Sequence, residues 1–280
     1  MRPAVSIDKF EVFADGLDHP EGLAFDRDGD LWVGGEQGQI YRITPKGKIL
    51  EVAQLGGFCL GLTFSATQEL WVCNLKKSSL IRLDRKGRIL SSIERVGGVR
   101  LRTPNFSVFD SEGNLYFSDS GEWQKNNGAV FVLRADGKTS RIADSLSFPN
   151  GMALSADERT LYVVQSTANN VLALEIASPG VVRSKRIYAK SLERVPDGAV
   201  LDARGNLYVT CYASDHIYKV TSQGKVSVFA WDPCGTMLSS PTNGAFGGEN
   251  FEYLYFANLS RWHICRVRVG VRGLPLVNLR

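Results

Sequence analysis

One short pattern occurs six times along this chain, and it constrains the fold more than any other feature. Each copy is an apolar strand, then a polar turn, then a second strand opening on Leu-Trp or Leu-Tyr. The copies begin at Pro20, Cys59, Pro104, Pro149, Pro196 and Thr242. Their second strands open on Leu31, Leu70, Leu115, Leu161, Leu207 and Leu254, spaced 39, 45, 46, 46 and 47 residues apart. A third strand follows, as in GQIYRITPKG or DHIYKVTSQG, and then a fourth, as in KVSVFAWD. The strands are short, rich in Val, Ile, Phe, Tyr and Trp, and broken by Asp-Gly, Lys-Gly and Gly-Asn turns. Four strands repeated at such a period are the signature of propeller blades. The expected fold is all-β: one six-bladed β-propeller over residues 1–280, with four antiparallel strands per blade. The stretch FEVFADGL, Phe10 to Leu17, resembles a fourth strand yet precedes the first copy. It is expected to pair as the outer strand of the last blade and close the ring, which removes an open sheet edge.

Composition narrows the function classes. The chain has 280 residues, 44% hydrophobic and 22% charged, enough apolar material for a sizeable core. The net charge is only +4, and Lys and Arg are scattered along the loops, so nucleic acid is not an expected partner. No stretch approaches the roughly 20 apolar residues of a membrane helix. The opening MRPAVSIDKFEVF has no apolar run before Asp8, so a cytoplasmic location is expected. Five cysteines with no CxxC suggest neither a disulfide framework nor a zinc site. Cys73 and Cys211 fall inside strands and are read as small hydrophobes.

The second position of the repeat carries chemistry. It holds Glu21, Leu60, Asn105, Asn150, Asp197 and Asn243. Taken singly, Asn-Gly and Asp-Gly are ordinary turn dipeptides. In a propeller, however, the first strand of each blade lines the axis, so equivalent residues converge. Five of the six are carboxylates or carboxamides, with no His or Cys among them. Such a hard-oxygen set suits Ca²⁺ or Mg²⁺ better than a structural zinc. Two buried carboxylates without a cation would repel each other and lose their hydration.

The segments HPEGLAFD, TPNFSVFDSEGNLYFSDSG, FPNGMALSADERTLYV, VPDGAVLDARGNLYV and PTNGAFGGENFEYLYFAN resemble the SMP-30/gluconolactonase/LRE-like family. More distantly the chain is similar to the related calcium-dependent propellers, paraoxonase, diisopropyl-fluorophosphatase and the drug-responsive lactonase. The resemblance covers essentially the whole chain. It implies a divalent ion in the channel, most readily calcium, with Mg²⁺, Mn²⁺ or Zn²⁺ as alternatives. It implies Glu21, Asn150 and Asp197 as protein ligands, and Asn105 as a fourth ligand or as a substrate and water contact. It implies hydrolysis of a small lactone or ester. Two departures bear on the substrate. Phe106 stands where the family often has Asp, and Thr103 where sugar-lactone members carry Arg. A substrate more apolar than a sugar lactone is expected.

Asp197 is the expected general base and Asn105 the residue that orients water or substrate. Asp119 and Glu122, in FSDSGEW, are candidates for the same mouth, as are Phe58 and Trp123 for its walls. His19 precedes the Glu21 turn, whereas His216 and His263 open third strands and are read as structural. Cys59 lies beside the ring without a His partner, so a thiol nucleophile is not expected. Competing readings are a binding propeller with a structural calcium, and a metal-free enzyme resembling strictosidine synthase.

Overall fold

The computed structural model describes residues 3–280 and contains six four-stranded antiparallel sheets. Together they form the six-bladed β-propeller that the repeat predicts. Five blades are built from consecutive strands. Blade 1, for example, comprises Leu23–Phe25, Leu31–Gly34, Gln39–Ile43 and Ile49–Gln54. Blade 6 takes Pro241–Gly247, Tyr253–Asn258 and His263–Arg268 from the end of the chain and Glu11–Asp15 from its start. Glu11 pairs with Arg266 and Asp15 with His263, so the N-terminal strand closes the ring as expected.

The core is divided rather than central. Six clusters of buried side chains are present, and each joins one blade to the next. The cluster between blades 1 and 2 packs Trp32 and Ile40 against Phe64, Leu70 and Val72. All six strand-opening leucines are fully buried in such interfaces. Because apolar burial is satisfied between blades, the axis is left free for polar groups.

A recurring local device turns the hairpin between the first two strands. Asp26 Oδ1 accepts from the backbone N–H of Asp28 and Asp30. Asp110 does the same with Glu112 and Asn114, and Asp202 with Arg204 and Asn206. Asp is common in turns because its short side chain caps its own backbone.

The two ends of the axis differ in chemistry. At the end remote from the repeat's second position, Phe25, Leu62, Phe106, Met152, Leu201 and Phe246 line an apolar chamber of about 60 Å³. The chain's last residues lie across it. The backbone N–H of Leu274 donates to the Leu201 carbonyl, and Asn278 Nδ2 donates to the Phe25 carbonyl. Gln68 Nε2 donates to the Asn278 carbonyl, and Arg280 pairs with Glu158. One segment thereby ties blades 1, 2, 4 and 5 together and shuts the channel at that end.

Candidate metal and active centre

Leu60, Asn105, Asn150, Asp197 and Asn243 lie near the start of their blades' first strands, with Glu21 just ahead of Leu23–Phe25, and a common irregularity sets the aim of the five. In blades 2 to 6 the pairing of the first strand with the second slips after Cys59, Pro104, Pro149, Pro196 and Pro241. The slipped stretch contains Leu60, Asn105, Asn150, Asp197 and Asn243. Such a bulge frees a residue from the ladder and re-aims its side chain.

Glycine at the next position lets the blades close around the axis. A Cβ on Gly22 would stand 2.0 Å from the Leu60 carbonyl oxygen, and one on Gly61 2.6 Å from that of Asn105. A Cβ on Gly151 would stand 2.6 Å from the Asp197 carbonyl oxygen, and one on Gly198 2.6 Å from that of Thr242. No side chain fits there. Blade 3 is the exception, with Phe106 at that position, half-buried toward the channel's apolar end.

A circuit of hydroxyls locks neighbouring blades together at this level. Ser118 Oγ donates to the Asn150 carbonyl at 2.9 Å, and Ser166 Oγ to the Pro196 carbonyl at 2.7 Å. Thr210 Oγ1 donates to the Thr242 carbonyl, and Thr242 Oγ1 to the Glu21 carbonyl at 3.0 Å. The circuit holds the backbone and leaves most of the ring's side-chain oxygens free.

Glu21, Asn105, Asn150, Asp197 and Asn243 are all buried, none more than 7% exposed. Asn243 Nδ2 donates to Glu21 Oε2 at 3.0 Å, and Asn150 Nδ2 to Ser166 Oγ at 3.2 Å. With their nitrogens engaged, the oxygens of both amides remain. Asn105 Oδ1, Asn150 Oδ1, Asp197 Oδ1 and Asn243 Oδ1 are buried without a hydrogen-bond partner. Buried polar atoms are nearly always paired, so four orphans at one repeat position demand a partner. Burial pushes the Glu21 carboxyl up to about 8, against the pull of its Asn243 hydrogen bond. Asp197 is raised well above the usual carboxylate range, first by burial and then by the negative charge of Glu21. An all-oxygen donor set with two carboxylates fits a hard divalent cation, which would satisfy the orphan oxygens and ionise both acids.

The other expected site residues sit as follows. Thr103, Asp119 and Glu122 share one loop network on blade 3. Asp119 accepts from the backbone N–H groups of Arg102, Thr103 and Gly121, so its carboxylate is committed to the loop. Thr103 Oγ1 donates to the Gly121 carbonyl. Glu122 is exposed and accepts from Arg102 and Asn127. Trp123 packs edge-on against Phe148. Phe58 lines a pocket of about 470 Å³ with His19, Glu36, Tyr212, Leu259 and Trp262. Of these, Glu36, Tyr212, Leu259 and Trp262 were not flagged by the repeat, because they lie in loops outside it. The Cys59 thiol is pushed up to about 12 by burial, so it is inert as a nucleophile. Asp18, His19 and Glu36 form a separate cluster whose ligand atoms lie within 4.8 Å of one another.

Fold and site together define a class: a six-bladed propeller that gathers oxygen side chains on its axis. A model of the SMP-30/Gluconolactonase/LRE-like region matches residues 61–260, and the chain belongs to that family. A strictosidine synthase-like N-terminal model matches residues 9–43. Lactonase drp35 of Staphylococcus aureus is 27% identical over 238 residues, 75% of this chain and 65% of the relative. The chain thus matches somewhat less than two thirds of that relative's length. A gluconolactonase from Xanthomonas campestris superimposes with a TM-score of 0.81 at 22% identity, covering 92% of this chain and 89% of the other. Regucalcin from Agrobacterium tumefaciens, described as a calcium-binding protein, gives a TM-score of 0.76 at 16% identity, covering 98% and 97%. These structural likenesses establish the shared fold.

Proposed function

We propose that this protein is a divalent-metal-dependent hydrolase of a small lactone or ester. The observation that carries the reading is the set of buried, unpartnered oxygens at one repeat position, three from amides and one from Asp197, together with the buried Glu21 carboxyl. Family membership supports it, since a lactonase and a gluconolactonase are among the chain's relatives and structural neighbours.

Glu21, Asn150 and Asp197 would hold the cation, with Asn105 as a further oxygen. Calcium is favoured, because the donors are all oxygen and outnumber what a compact octahedral Mg²⁺ site takes from protein. When bound, the cation supplies Lewis acidity at the substrate carbonyl and offsets negative charge developing on its oxygen. The chain's own residues do the rest. Asn105 orients the attacking water or the substrate through its free oxygen. Asp197 Oδ1 accepts a proton from that water as its oxygen bonds to the carbonyl carbon. The carbonyl carbon–alkoxy oxygen bond then breaks, and the proton returns from Asp197 to the leaving alkoxide. Glu21, anchored by Asn243, positions the cation and takes no proton.

Calorimetric titration of chelator-treated protein with CaCl₂ tests the site. One binding event per chain is expected, weakened by roughly a hundredfold or more in Glu21→Gln, because one ionised ligand is lost. Absence of binding to the wild type would refute the assignment.

A further inference from the structure

Outside the ring, the described residues contain one group of three His and carboxylate side chains placed to ligate a metal. Asp18, His19 and Glu36 present ligand atoms within 4.8 Å of one another. Asp18 and His19 lie in the loop that enters blade 1, ahead of Leu23–Phe25, and Glu36 lies in the turn between Leu31–Gly34 and Gln39–Ile43. Two features bring loop and turn together. The Glu36 backbone N–H donates to the Asp18 carbonyl at 3.2 Å. A Cβ on Gly35 would stand 2.9 Å from that same carbonyl oxygen, so the turn comes this close only because no side chain intervenes.

The charges at this point do not balance. His19 Nδ1 faces Asp18 Oδ1 at 2.8 Å and Glu36 Oε2 at 3.0 Å. A ring nitrogen carries at most one hydrogen, which cannot point squarely at both oxygens. Even a protonated ring would bring one positive charge to two carboxylates. Among the described residues no Lys or Arg lies within ion-pair distance of either acid. A divalent cation in place of the shared hydrogen balances both acids and engages all three atoms. A tetrahedral ion bound at about 2.0–2.2 Å sets its ligand atoms roughly 3.3 Å apart, so these contacts need to open by only about 0.3–0.5 Å.

The ligands are also held from behind. Gln39 Nε2 donates to Asp18 Oδ2 at 2.9 Å, and the Gln37 backbone N–H donates to it at 3.2 Å. Both donors sit on the second carboxylate oxygen, which leaves Oδ1 for the centre. The His19 ring packs against the Trp262 indole, with centroids 4.9 Å apart. Such outer contacts fix the orientation of metal ligands and tune their affinity. The remaining side is open. His19 and Glu36 line the pocket of about 470 Å³ opposite Tyr212 and Ser260, which gives room for a water or another small ligand in a fourth position.

The donor set differs from that of the ring. An imidazole nitrogen with two carboxylates suits a borderline ion such as Zn²⁺, whereas the ring offers oxygen alone. We propose that Asp18 Oδ1, His19 Nδ1 and Glu36 Oε2 form a second metal site, for a zinc-class divalent ion, at the channel mouth, with its fourth position open to the pocket. This site does not depend on the hydrolase reading.

The test is a calorimetric titration of the full chain with ZnCl₂ in excess CaCl₂, which keeps the ring occupied by calcium. One zinc-binding event per chain is expected. Glu36→Gln and His19→Gln should each weaken it by about a hundredfold or more, because each removes a ligand, and Gln39→Ala by about tenfold, because it removes a support. Glu36 is the most exposed of the three, so Glu36→Gln carries the test even if His19→Gln does not fold. Calcium titration of Glu36→Gln should give the wild-type affinity, which shows that fold and ring are intact. Glu21→Gln should leave the zinc event unchanged. Absence of zinc binding to the wild type overturns the proposal. So does a zinc event that keeps its full strength in Glu36→Gln, or one that is lost in Glu21→Gln and therefore belongs to the ring.

Discussion

Stripped of divalent cations, the protein should lose stability steadily as pH rises from about 5 to about 8, and calcium should abolish the loss. The cause is the buried acid pair. In the unfolded chain Glu21 gives up its proton near 4.5, whereas in the folded protein burial holds that proton until about 8. Asp197 is raised in the same direction, by burial and by the charge of Glu21. Between those limits the native state carries protons that the unfolded state has released. Stability must then fall with pH, by about 1.4 kcal/mol per pH unit for each retained proton. Below about pH 4 both states are protonated, and the slope from these groups vanishes. A bound divalent cation prefers the ionised oxygens, so it removes the slope and adds its own binding free energy to the folded state. Urea midpoints measured across this pH range, in chelator and in excess CaCl₂, check the expectation. A flat or rising curve in chelator would contradict it.

Asp197→Asn should lower kcat by at least about a thousandfold, the scale of losing a general base, with the fold intact. Asparagine keeps the size of the side chain and one oxygen but cannot accept the proton from water. The hydroxyl circuit would survive, because Ser166 and Thr210 contact backbone carbonyls at this level and not the Asp197 carboxylate. Saturating calcium separates the lost base from a weakened cation site. The same substitution removes a buried acid that must hold a proton which the unfolded chain has released, so in chelator at pH 8 the variant should be more stable than the wild type. Turnover near the wild-type rate at saturating calcium would remove Asp197 from the base role.

The repeat made the propeller legible because each blade must bury the same faces against its neighbours. Leu31, Leu70, Leu115, Leu161, Leu207 and Leu254 mark those faces directly. The closing strand was legible as a fourth strand without a preceding first. The ring was visible as five oxygen side chains at one position, since a propeller turns sequence register into spatial convergence. What the orphan oxygens point toward depended on details that a repeat does not encode. These are the bulge after the opening residue in blades 2 to 6 and the hydroxyls that lock the carbonyls. Asp119 illustrates the limit. Its sequence neighbourhood suits a channel mouth, but Asp also caps nearby backbone N–H groups readily, and here three of them claim it. The mouth itself was mostly hidden. Phe58, Tyr212 and Trp262 are far apart in sequence and lie in irregular loops, and only ring closure brings them together.

The most direct measurement is hydrolysis of a lactone panel, aliphatic, aromatic and sugar-derived, by chelator-treated protein before and after cations are restored. The account predicts no turnover in chelator and recovery with one divalent cation, calcium first. Turnover in chelator equal to that with cation would contradict it. So would clear cation binding with no hydrolysis of any lactone or ester, which would leave the ring as a structural ion site.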